Sequence, residues 1–157
     1  MTVNTDGQSS VLLSFVVPSY NSQDYLDRCI DSMLPAPDDV EIIIVNDGST
    51  DGTQAMADQY ASTNPGHVRV VNKVNGGHGS AINSGLAAAQ GRYFKVVDSD
   101  DWVDSDAYEK LLTALRGYPT EAGPDLVVTN FVYEKEGKRH KHAMTFRNVF
   151  DTDRVVG

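Results

Sequence analysis

Three carboxylates fall within four residues of one another in the stretch Arg92–Trp102, RYFKVVDSDDW: Asp98, Asp100 and Asp101, with Ser99 among them. Like charges this close repel unless something positive sits between them. Hard divalent cations such as Mn2+ or Mg2+ answer that need, because they take several oxygen ligands. An isolated acidic run is otherwise a solvated turn. A calcium loop does not fit, since Trp102 and Val103 occupy its liganding and glycine positions although Glu109 falls at the twelfth. The metal reading gains weight from three other polar turns: Pro18-Ser19-Tyr20-Asn21, Asn46–Gly52 (NDGSTDG) and Asn75–Gly79 (NGGHG).

Each of these turns follows a strand-like run. Val11–Val17 and Val40–Val45 are short apolar runs of the kind buried on both faces of a parallel sheet. Val68–Val71 is a third, and Tyr93–Val97 leads into the carboxylates. Between them lie helical stretches. The first starts at Asn21 or Ser22 and stops before Pro35, with Tyr25, Leu26, Cys29, Ile30 and Met33 on one face. The second runs to Ser62 with Met56, Ala57, Tyr60 and Ala61 inward, Thr50 or Asp51 acting as its cap. The third, Ser80–Gln90, buries Ala81, Ile82, Gly85, Leu86 and Ala89, and Gly91 follows as a left-handed terminator. The fourth, Asp106–Arg116, turns Tyr108, Leu111, Leu112 and Leu115 inward. Four strand-helix alternations imply an α/β fold, a mostly parallel sheet with helices on both faces. Right-handed crossovers bring all four strand ends to one edge, where such folds bind ligands.

The last third differs. Leu126–Glu134 and Arg139–Arg147 read as a C-terminal β-hairpin across Lys135–Lys138. Lys138, Arg139, His140, Lys141 and His142 form a basic patch, either a solvated hairpin tip or a contact to phosphate or, as a peripheral membrane contact, to anionic lipid.

The chain has 157 residues, 40% of them hydrophobic, enough for one domain with a core. Residues 1–10 read as a flexible N-terminal segment and 11–157 as the domain. Net charge −9 argues against a nucleic-acid partner. A phosphorylated ligand would therefore need a metal or backbone N–H groups as intermediary. Cys29 is the single cysteine and reads as a core thiol. The start lacks the basic and apolar regions of a signal peptide, and no run approaches the roughly 18 apolar residues of a span. The expectation is a cytoplasmic protein, or the soluble part of a larger one at the inner face of a membrane.

Four segments together resemble family 2 inverting glycosyltransferases of the GT-A fold: FVVPSYN (Phe15–Asn21), EIIIVNDGSTDGT (Glu41–Thr53), NGGHGSAINSG (Asn75–Gly85) and GRYFKVVDSDDWVD (Gly91–Asp104). Their order and spacing carry the resemblance over Leu12–Tyr133. It implies transfer from a UDP-sugar donor to a saccharide or lipid-linked acceptor, in cell-surface polysaccharide synthesis. Asp47 then corresponds to the carboxylate that hydrogen-bonds uracil, while Pro18, Tyr20 and Asn21 belong to the loop around base and ribose. Asp98, Ser99 and Asp100 form the DxD-type motif, with Asp101 beside it, holding Mn2+ or Mg2+ on the diphosphate.

The sequence departs from the family at Asn46, where many members carry an acid, and at Ile82, where arginine is common. His78 stands as a substitute donor from the same loop. The family's Glu-Asp-type general base has no counterpart, and Asp151 and Asp153 cannot be assigned to it. The chain therefore reads as the donor half of a longer, apparently truncated enzyme whose acceptor portion and catalytic base lie beyond Gly157. An apolar surface left open by that portion would favour homo-oligomers. The competing reading is a non-catalytic nucleotide-sugar-binding module. A dinucleotide-binding domain is disfavoured by the lack of a G-x-G-x-x-G turn after the first strand.

Overall fold

Apolar β-branched runs produce the centre of the molecule. The computed structural model describes residues 11–119, 123–134 and 142–146. The chain divides after Leu115 into two units. In the first, β1 (Leu13–Ser19) and β2 (Val40–Asn46) are buried along their whole length. β3 (Val68–Asn72) and β4 (Tyr93–Val96) flank them in the order β3-β2-β1-β4, and every pairing is parallel. All four strands therefore end on one edge. Pro18 lies beyond the last β1–β4 pair, Val16↔Val96, a position where a strand tolerates a residue without an N–H.

Helices α1 (Leu26–Asp31), α2 (Thr53–Thr63), α3 (His78–Ala88) and α4 (Ser105–Gly117) follow the strands in turn. Alternation along β1 assigns them to both faces. Val16 points at α3, where it joins Ile43, Val45 and Ala81 in a buried cluster. Phe15 points the other way and meets the Tyr108 ring of α4 edge-on at 5.5 Å.

Several sequence expectations are corrected here. α1 is one and a half turns long rather than thirteen residues, because Ser22–Tyr25 forms a turn before it, and Tyr25 is half exposed. Leu86 is also exposed: Gly85 brings α3 so close to β1 that only a narrow stripe, Ala81 and Gly85, is buried. Gly91 is not left-handed. α3 ends three residues earlier, and Gly91 is needed because a Cβ there would lie 2.6 Å from the Ser14 nitrogen. Asp51 does bind the first-turn N–H of Thr53, at 3.0 Å, whereas Thr50 is used elsewhere.

At the opposite end of the sheet from the polar turns, Glu41 is buried inside the apolar run of β2. It accepts from Ser14 Oγ and the Gln90 N–H, both at 2.6 Å, and pairs with Arg69 at 2.5 Å. The network joins three strands to the turn before β4.

In the second unit β5 (Phe131–Tyr133) and β6 (His142–Met144) form an antiparallel pair with Tyr133 opposite His142. β5 is shorter than the sequence pattern implied. The proposed tip at 135–138, most of the basic patch, the N-terminal segment 1–10, and Asp151 and Asp153 lie outside the described residues. No helix among the described residues is long and apolar enough to cross a membrane.

Candidate functional site

The parallel topology places the four turns side by side, and hydrogen bonds lock three of them together. Asn21 has φ = 50°, a left-handed conformation that asparagine tolerates better than most residues. Its side-chain oxygen accepts the Thr50 N–H at 2.9 Å, and its own N–H reaches Ser49 Oγ at 3.1 Å. Ser22 N–H donates to Thr53 Oγ1 at 2.7 Å, and Gln23 Oε1 takes the Gly52 N–H at 2.8 Å. The first turn is thus stitched to the second. Pro18 is buried beneath it, while Tyr20 stands half exposed above.

Asp47 lies at the end of β2, and its side chain is only 3% exposed. One carboxylate oxygen pairs with Lys73 and accepts the Gly76 N–H at 2.9 Å; the other accepts the Gly77 N–H at 2.7 Å. Lys73, followed by the two glycine amides, holds its pKa below the usual carboxylate range despite burial. The loop 73–77 is therefore built around this carboxylate. Gly48, at φ = 72°, makes room for it, since a Cβ there would lie 2.7 Å from the Asn75 nitrogen. Asn46 ties the same strand ends together: it donates to Asn72 Oδ1 at 2.9 Å and accepts the Ser49 N–H at 3.1 Å.

The acidic turn closes the edge. Ser99 Oγ lies 2.8 Å from Ser22 Oγ, and His78 Nε2 lies 3.5 Å from Asp98 Oδ1. Every residue singled out from the sequence, Pro18, Tyr20, Asn21, Asp47, His78, Asp98, Ser99, Asp100 and Asp101, stands on this one edge. Asp101 is pushed up by burial and then by Asp100 and Asp98. The Cys29 thiol beneath the turn is pushed up to about 12 by burial, and then by Asp101, Asp100 and Asp98. It is a core thiol, not a nucleophile.

Asp98, Asp100 and Asp101, which the sequence suggested as metal ligands, stand exposed on one turn. Among the described residues no three His, Cys, Asp or Glu side chains come together as a ready-made chelate. Asp98 is directed to His78. An exposed, all-oxygen donor set of this kind fits a hard cation that takes one or two carboxylates and fills its shell with phosphate oxygens and water. It does not fit a closed protein cage.

Three residues escaped sequence reasoning: Lys73, Ser22 and Arg28, whose guanidinium lies 3.2 Å over the Trp102 ring. Lys73 had a usable signal, being a cation directly after a strand that ends beside Asp47. Ser22 and Arg28 act across long separations and had none.

Comparison with known proteins decides the family. Residues 14–155 match the model of Glycosyl transferase family 2.

The chain belongs to glycosyltransferase family 2.

Over 102 residues it is 42% identical to a chondroitin synthase of Pasteurella multocida (strain Pm70), a match covering 64% of this chain and 10% of that protein. Among solved structures, S. aureus TarS 1-349 in complex with UDP-GlcNAc superposes with a TM-score of 0.60 at 29% identity, covering 68% of this chain and 31% of that fragment. A mannosyltransferase of Pyrobaculum calidifontis, in complex with GDP-Man and Mn2+, gives 0.57 at 26% identity, covering 64% and 31%. The family 2 fold seen here is thus of the GT-A type, and the chain spans about a third or less of the length of each of these relatives.

Proposed function

We propose that this edge binds the nucleotide-sugar donor of an inverting glycosyltransferase, and that the donor is a UDP-sugar. The observation that carries the reading is the buried, ionised Asp47 set between the first turn and the glycine loop. Ionised carboxylate accepts only, so it selects a base that presents an N–H, such as the imide of uracil. Three of its roughly four acceptor sites are taken by the protein, which leaves one for the base. Tyr20 and Asn21, over buried Pro18, flank the base and ribose. His78, the first residue of α3, faces the diphosphate.

The acidic turn, Asp98, Ser99, Asp100 and Asp101, would hold Mn2+ or Mg2+ together with that diphosphate. Such a cation stabilises the charge that develops on the leaving nucleoside diphosphate. The similarity to a TarS–UDP-GlcNAc complex and to a Mn2+-loaded mannosyltransferase supports both assignments. The acceptor is a saccharide or lipid-linked saccharide of a surface polysaccharide, and a base from another part of the enzyme deprotonates its hydroxyl.

Calorimetry with UDP, GDP and TDP, each with and without Mn2+, tests the reading. UDP is expected to bind best and to bind more tightly with Mn2+. In Asp100→Asn the Mn2+ enhancement should vanish while uridine binding stays. Equal Mn2+ enhancement in wild type and Asp100→Asn would reduce the cluster to a solvated turn.

A further inference from the structure

We propose that Arg28 is a positioning residue for the acidic turn: its guanidinium, stacked on Trp102, holds Asp100 and Asp101 where a cation-bridged diphosphate needs them. The inference rests on the donor-site reading above.

The turn has little to hold it in place by itself. Three carboxylates repel one another, and one internal backbone bond, Asp101 N–H to the Asp98 carbonyl at 2.9 Å, opposes them. The remaining support comes from outside, from the first turn and α1. Ser22 Oγ meets Ser99 Oγ, and the Cys29 thiol donates to the Asp98 carbonyl at 3.6 Å. Ser32 Oγ accepts the Val103 N–H at 3.0 Å, on the far side of the carboxylates. Arg28 grips Trp102, the residue directly after Asp101. These contacts bracket the turn from both ends.

Arg28 differs from the other three in two ways. It is exposed, so its replacement opens no cavity. It also brings a permanent positive charge to the turn without entering the cation's place, because the ring pins it. The planar, weakly hydrated guanidinium stacks flat on the ring, a contact that the compact, strongly hydrated ammonium of lysine only partly replaces. The stack forms only when Trp102, and with it Asp101, is in this arrangement. Without the stack, cation binding must itself order the turn, so affinity falls by the factor the stack supplied. For a contact at the surface that factor is about two- to fivefold.

Trp102 is the only tryptophan, so its emission reports on the turn directly. Arg28→Met keeps much of the aliphatic stem and removes the guanidinium. In metal-free protein we expect lower Trp102 fluorescence anisotropy in Arg28→Met than in wild type. By calorimetry, Mn2+-dependent UDP affinity should fall about two- to fivefold, with metal-free UDP affinity unchanged. Arg28→Lys, which keeps the charge without the flat stack, should recover only part of the loss. Full recovery in Arg28→Lys would overturn the stacking role in favour of charge alone. Unchanged anisotropy, or an unchanged Mn2+ effect in Arg28→Met, overturns the proposal while the donor site stands. If Mn2+ does not strengthen UDP binding even in wild type, the donor-site reading fails and this proposal falls with it.

Discussion

Gly85 should be irreplaceable, even by alanine. It faces β1 from the middle of α3, and a Cβ at this position would lie 2.2 Å from Val16 Cγ1, 2.9 Å from Cγ2 and 3.1 Å from Cβ. Carbon atoms in ordinary contact sit about 3.5–4.0 Å apart, so the nearest methyl is short by about 1.5 Å. Val16 cannot yield: it is fully buried, stiff at χ1, and on a strand paired on both sides. The helix must therefore lift and unpack Ala81 from Ile43 and Val45. Overpacking costs about 1–3 kcal/mol, and this clash belongs at the upper end. Alanine's better helix propensity returns up to about 1 kcal/mol. The net loss is about 2 kcal/mol, or a melting temperature lower by roughly 4–12 °C. Thermal unfolding followed by circular dichroism measures it. Gly79→Ala, in the same helix, is the control, because an added Cβ there meets nothing within 4 Å and the change should be neutral or stabilising. Val16→Ala in the Gly85→Ala background should recover part of the loss, showing as a favourable coupling in the double-mutant cycle. If Gly85→Ala melts at or above the wild-type temperature, propensity outweighs packing and the account of this interface is wrong.

Two further changes probe the fold away from α3. Glu41→Ala strands the Ser14 and Gln90 donors and leaves Arg69 only the Ala88 carbonyl; breaking buried pairs costs about 3–5 kcal/mol, and with Arg69 40% exposed we expect about 2–3 kcal/mol. Urea midpoints check this, and a loss under 1 kcal/mol would mark the network as dispensable. Asp47 is held ionised by Lys73 and the Gly76 and Gly77 amides, so its pKa lies lower in the folded than in the unfolded state. Its stabilising contribution is complete above the unfolded value, about 3.9, and is lost as pH falls through the lower folded value. The stability gap between wild type and Asp47→Asn should therefore narrow from pH 6 to pH 3; a gap that stays constant would mean that the pair contributes nothing through charge.

The existence and order of the strands were legible in the sequence, because VLLSFVV and VEIIIV are too short for buried helices and too apolar for anything but a sheet interior. The alternation with helical stretches implied parallel pairing, and parallel pairing put the polar turns on one edge. That the candidate residues would share this edge was legible for the same reason: most of them lie at or just after the end of a strand. Boundaries were less so. α1 shrank because Ser22 and Gln23 spend their groups on Thr53 and Gly52, partners thirty residues away that no local pattern reveals. Tertiary structure alone decided what Asp47 does with its oxygens, since Lys73, Gly76 and Gly77 reach it only once β3 lies beside β2. It also decided that Gly91 serves close packing rather than a left-handed turn, and that Arg28 reaches Trp102. In each case the deciding interaction joins residues far apart in the chain. Sequence periodicity records which face is buried, whereas such contacts depend on which elements become neighbours.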